Sequence, residues 1–172
     1  MPCMRPPHTP SAITALAVLV LAAAPALSPA FALQQKAPPA PAATIPGFSV
    51  AVTYSQKAMD TLTSSKETVI VAAYLTGSPK PGTPKSLIHQ GAVGLGDSTQ
   101  EITPGATATF SKISLDPKVL SYVDSQGPQL LINVYSGRKS SPNNLLDCGI
   151  YDGPLKDVQG KSIPIACKLI GE

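Results

Sequence analysis

The chain reads as mainly β: an antiparallel β-sandwich of about seven strands with one or two short helices. Three observations carry that reading. Runs of alternating or continuously apolar, β-branched residues recur along the chain. The stretches between them are short and rich in Gly, Pro, Ser and Asn, which turn a chain. Of two late cysteines, Cys148 and Cys167, the second falls in an alternating apolar set and so belongs inside the domain. A small barrel is the alternative arrangement of the same strands.

The first 32 residues have the features of a secretory signal peptide. Arg5 supplies a positive charge, residues 13–24 an apolar core, and Ala30-Phe31-Ala32 a small-residue site with cleavage expected after Ala32. Pro25 breaks the core, which is shorter than the ~20 residues of a spanning helix, so no membrane span is expected after cleavage. An uncleaved anchor is the competing reading. A lipid anchor would need a cysteine directly after the core, whereas Cys3 precedes it. Residues 33–46 are rich in Ala and Pro and read as a flexible spacer. Residues 47–172 read as the β-sandwich domain.

Phe48, Val50, Val52 and Tyr54 alternate with small polar residues, which predicts a strand with one buried face. Ala58, Met59 and Leu62 then fall at helical spacing, so residues 56–65 read as a short helix. Residues 68–76 are continuously apolar and suit a central strand covered on much of both faces. A Pro/Gly loop follows over residues 77–85, then a weaker strand over residues 87–95, loosened by Gly91 and Gly94. Residues 97–105 read as a polar loop with a short strand near Glu101 and Ile102.

Ala106, Ala108 and Phe110 open a strand that runs to Leu115. Asp116-Pro117 has the chemistry of a helix start, with Val119, Leu120 and Val123 facing the core and Gly127-Pro128 ending the turn. In the next strand Leu130, Ile132 and Val134 share a face. A polar, basic turn over residues 136–144 joins it to a strand ending at Cys148, and a last strand carries Ile163, Ile165, Cys167 and Leu169 on one side. Pro164 lacks an N–H, which places that strand at a sheet edge or beside a bulge.

Composition excludes more than it assigns. Removing residues 1–32 takes away one of 13 basic residues and none of the 10 acidic ones, leaving a net charge of +2. Nucleic acid would call for a clustered basic face, and none is legible. Cys148 and Cys167 become the only cysteines, and an even count in an exported chain predicts a disulfide that stabilises the fold by ~3 kcal/mol. A metal or redox pair is the alternative, but the spacing is far from Cys-x-x-Cys and only His89 remains as a histidine partner. No metal or cofactor is expected.

No nucleophile motif surrounds any serine, and a triad would have to recruit His89 as its base. Gly91, Gly94 and Gly96 have the order G-x-x-G-x-G rather than that of a phosphate loop, so bulges and close strand contacts explain them better. Asp97, Glu101, Asp147 and Asp152 lack the dense spacing of a calcium loop and read as turn and surface residues. The polar cluster best placed to bind is Arg138, Lys139, Asn143 and Asn144, at a tip between two strong strands. Arg and Asn at close range suit a carboxylate, phosphate or sugar. A long turn also needs such residues merely to turn and stay solvated.

Residues 133–148, Asn-Val-Tyr-Ser-Gly-Arg-Lys-Ser-Ser-Pro-Asn-Asn-Leu-Leu-Asp-Cys, with Thr-Val-Ile-Val-Ala-Ala-Tyr at 68–74, resemble a group of small exported proteins of Gram-negative bacteria that carry no assigned activity. The resemblance spans most of residues 47–170. It implies a periplasmic setting and supplies no ligand, activity or site residue.

These readings converge on a periplasmic or secreted, non-catalytic binding or interaction module, whose partner is a cell-envelope protein or a small ligand. An outward apolar face with Ile70 and Tyr74 would favour a protein partner. The alternatives are a hydrolase with a site near His89, and an accessory subunit that lends an open strand edge to a larger assembly.

Overall fold

The computed structural model describes residues 43–172. The signal-peptide reading of residues 1–32 and most of the spacer reading lie outside the described residues. Among the described residues, nine strands form two sheets. The first is ordered β5 (Thr107–Leu115), β1 (Ala43–Tyr54), β9 (Ser162–Leu169), β7 (Leu146–Cys148). The second is ordered β3 (Ile88–His89), β4 (Ala92–Ile102), β2 (Val69–Gly77), β6 (Gln129–Ser136), β8 (Tyr151–Pro154). The chain is thus a mainly β protein whose two sheets bury a shared core. Every pairing is antiparallel except β1 with β9.

The core follows from alternation. Phe48, Val50 and Val52 of β1, Ile163 and Ile165 of β9, and Ala108 and Phe110 of β5 face Val69, Val71, Ala73 and Leu75 of β2 and Leu130, Ile132 and Val134 of β6. The rings of Phe48 and Phe110 stack with centroids 4.9 Å apart. Of the two helices, α1 (Gln56–Ser64) buries Ala58 and Leu62 and is capped by the Ser55 hydroxyl, which accepts from the Ala58 N–H at 3.1 Å. The single turn α2 (Pro117–Leu120) starts as its Asp-Pro pair predicts, the Asp116 carboxylate accepting from the Lys118 N–H at 2.8 Å.

Several expectations change. β1 begins at Ala43, so residues 43–46 pair with β5 instead of belonging to the spacer. Residues 92–102 form one continuous strand, β4, in place of a weak strand and a polar loop. Gln90 and Gly91 both adopt positive φ, 51° and 86°, and close a tight β3–β4 hairpin. The segments before and after residues 137–145 are not a hairpin pair, since β6 and β7 lie in different sheets. Finally, β2 is central but buries one face more than the other: Tyr74 is 39% exposed.

The expectation that Pro164 places the last strand at a sheet edge or beside a bulge is also overturned: β9 lies between β1 and β7. Carbonyls of Lys161 and Cys167 point to β1, so odd residues of β9 face that strand. Pro164 therefore faces the other way, where β7 has not yet begun, since β7 pairs only with residues 167–169. Cys148 and Cys167 are direct cross-strand partners with Cα atoms 4.0 Å apart, as in a non-hydrogen-bonded pair, and form the disulfide.

A Cβ at Gly47 would collide with the Phe110 carbonyl oxygen, because β1 and β5 close up beside the stacked phenyl rings. Gly47→Ala is expected to destabilise the domain by about 2 kcal/mol or more in a denaturant titration. Reducing the disulfide should lower the unfolding free energy by ~3 kcal/mol in the same assay.

Candidate functional site

The tip singled out by its residues is built around a carboxylate that sequence reading overlooked. Helix α1 ends in a Schellman turn: the Glu67 N–H donates to Leu62 O at 2.8 Å, the Lys66 N–H to Thr63 O at 3.2 Å, and Lys66 takes φ 54°. This left-handed residue swings Glu67 inward, where it is only 2% exposed. Its carboxylate accepts from the N–H groups of Thr68 (3.0 Å), Lys139 (2.9 Å) and Ser140 (2.7 Å), and from the Ser140 hydroxyl (2.6 Å). Burial alone would raise its pKa. The Ser140 hydroxyl and the three main-chain donors outweigh burial and hold it at about 2, against an ordinary 4.5.

The four predicted residues divide accordingly. Asn144 is consumed by the fold: its Oδ1 accepts from Ser136 N (2.9 Å), Ser136 Oγ (3.2 Å) and Leu146 N (3.1 Å), and its Nδ2 donates to Leu146 O (2.7 Å). Lys139 turns its Nζ to Glu101 at 3.0 Å. Arg138, at φ 59°, and Asn143 keep exposed side chains. The carboxylate that this loop holds is its own chain's Glu67, gripped by two backbone amides and the Ser140 hydroxyl and not by the side chains of Arg138, Lys139, Asn143 or Asn144. The loop that carries the four residues is a crossover between sheets, locked at both ends.

His89 lies exposed on β3, in the two-residue arm of the hairpin. Among the described residues no hydroxyl or carboxylate shares a hydrogen bond with its ring, and no three His, Cys, Asp or Glu side chains gather as a metal site.

A cleft that was not legible in the sequence opens between β4 and β5. Each is the outer strand of its sheet along this side, since β3 pairs only with Ala92 and Val93. Register sets Val71 opposite Gln100, Ala73 opposite Ser98 and Leu75 opposite Gly96. Directly opposed residues share a face, so β4 turns Gln100, Ser98 and Gly96 toward the core where its neighbours turn Val, Ala and Leu. These small or polar side chains do not fill the space between the sheets. The result is a cavity of about 300 Å³ with Phe48, Phe110, Ala73 and Leu75 as its floor. Ser98, Gln100, Thr109, Ser111 and Lys112 ring its mouth. An apolar floor with a few convergent polar groups is the usual make-up of a small-ligand site.

No family model, curated protein or solved structure matches the chain. The residues themselves carry the functional argument.

Glu67 makes the crossover acid-sensitive. Its folded pKa lies below its unfolded value, so its contribution is complete above pH ~4.5 and is lost as pH falls toward 2. Glu67→Gln should cost about 2–3 kcal/mol at pH 7, and its unfolding free energy should fall less steeply than the wild type's between pH 4.5 and 2. Chemical denaturation across that pH range checks both.

Proposed function

We propose that this chain is a non-catalytic binding module of the bacterial periplasm whose ligand enters the cleft between β4 and β5. The cleft carries the reading: it is a place where a packed sandwich forgoes core side chains and sets hydroxyl and amide groups around an apolar floor. Unfilled apolar surface costs stability unless something occupies it, which argues for a ligand rather than for a packing fault. Its size suits a molecule with a compact apolar body and a few hydrogen-bonding groups.

The periplasmic setting is supported by the signal-like residues 1–32 and by the Cys148–Cys167 disulfide, a bond that persists in oxidising compartments. Absence of catalysis is our inference from the poverty of the chemistry around His89, the only histidine of residues 33–172. A hydrolase working there would lose its activity on His89→Ala, whereas a binding module would keep its affinity.

The decisive experiment is a native mass spectrum of the protein purified gently from the envelope of its own cells, beside a Ser98→Phe variant that fills the cleft. A non-covalent adduct on the wild type that is absent from the variant is the expected result. An adduct of equal abundance on both would remove the cleft from the function.

A further inference from the structure

We propose that the outer face of the five-stranded sheet docks an extended peptide segment that presents an apolar side chain between two cationic ones. The face differs from the outer face of the four-stranded sheet. β5 turns Thr107 to solvent, and β9 turns Ser162, Pro164, Ala166 and Lys168. The two central strands of the other sheet turn out apolar groups instead: Ile70 and Tyr74 on β2, Leu131 and Tyr135 on β6. Tyr74 and Leu131 are 39% and 36% exposed and directly paired. Large apolar groups side by side at the middle of a sheet, with polar strands at its margins, have the layout of an interface core and rim.

The rim is what selects the partner. Register places Asp97 of β4 opposite Tyr74 and Asp152 of β8 opposite Leu131. One row across four strands therefore reads Asp97, Tyr74, Leu131, Asp152. Both carboxylates are exposed, and among the described residues neither has a cation within 4.0 Å. The other carboxylate of β4, Glu101, is already matched by Lys139. Strands lie about 4.8 Å apart, so the two acids stand ~14 Å from each other with the apolar pair between them.

That spacing defines the occupant. In an extended peptide, residues i, i+2 and i+4 share one side, and the outer two are ~13 Å apart. Cations at i and i+4 with an apolar residue at i+2 match the row, lying across the strands. Charge argues against the other occupants. A second copy laid face to face would bring the same carboxylates against each other. An anionic lipid or nucleic-acid surface would meet two negative groups.

The face lies on the outside of the sheet whose inner side lines the cleft; Asp97 borders both, whereas Asp152 belongs to the face alone and Ser98 to the cleft alone. The probe is the capped peptide Lys-Ser-Phe-Ser-Lys, with Glu-Ser-Phe-Ser-Glu as its twin, titrated at low salt into isotope-labelled protein and followed by amide chemical shifts. The lysine peptide should shift residues of β2, β6 and the flanking acids, and D97K/D152K should weaken it at least tenfold. The same double variant should gain binding of the glutamate twin, which shows that it is folded and that charge, not collapse, explains the loss. Ser98→Phe should leave the titration unchanged. Equal binding of both peptides by the wild type, shifts centred elsewhere, or no binding would overturn the proposal. So would a dimer in sedimentation that Tyr74→Ser abolishes and the charge reversal does not.

Discussion

One buried carboxylate holds two distant parts of this chain together. Glu67 follows α1 and precedes β2. The amides it grips belong to the segment that leaves β6 and crosses to the other sheet. Neither end is regular structure, and each has main-chain donors that no ladder satisfies. The carboxylate supplies acceptors for three of them at once, which is how an ionised group survives burial without a cationic partner. Asn144 does the same service one step further on, pairing with Ser136 where β6 ends and Leu146 where β7 begins. The crossover is a built corner, and the alignment of the two sheets at this end depends on it.

Closure at that corner contrasts with the opposite flank. At the corner, the Glu67 and Asn144 hydrogen bonds hold the crossover from β6 to β7, and the disulfide then pins β7 to β9 within the first sheet. Where β4 faces β5, no side-chain hydrogen bond joins the two strands among the described residues, and the inward Gly96, Ser98 and Gln100 carry too little volume to fill the gap. The sandwich is tied by hydrogen bonds at the crossover corner and open between β4 and β5. A binding cleft needs this distribution, since a pocket keeps its shape only if the sheets that form its walls are fixed elsewhere.

Much of this was readable from alternation. β6 and β9 each bury one set of alternating residues, β1 does so from Phe48 on, β5 changes phase between Phe110 and Ile113, and α2 starts at the Asp-Pro pair that its sequence displays. The disulfide followed from the cysteine count and from the position of Cys167 in an apolar set. What alternation could not reveal were strands held by their neighbours. Residues 92–102 read as the end of a weak strand and a polar loop because the middle inward positions are Gly96, Ser98 and Gln100, and the same residues are the reason for the cleft. β8, with the sequence Tyr-Asp-Gly-Pro, has no pattern and exists because β6 offers it an edge. The tip cluster was legible as polar, but its partner Glu67 was not, since an acid beside a lysine after a helix looks like ordinary surface. Only the left-handed turn at Lys66 sends it inside.

The single parallel pairing has its own consequence. β9 lies between β1 and β7, with Ser162 beside Ser49 and Cys167 beside Tyr54. The strand described last in the chain is thus a middle strand of the first sheet, wedged against the strand described first. No contiguous stretch ending before residue 162 can assemble this sheet; its two halves stay apart until the closing strand arrives. Such long-range closure makes folding slow and cooperative. Partial chains expose two raw strand edges, so a truncation of only the last ten residues should be as damaging as the loss of a far larger piece from a fold with local pairing.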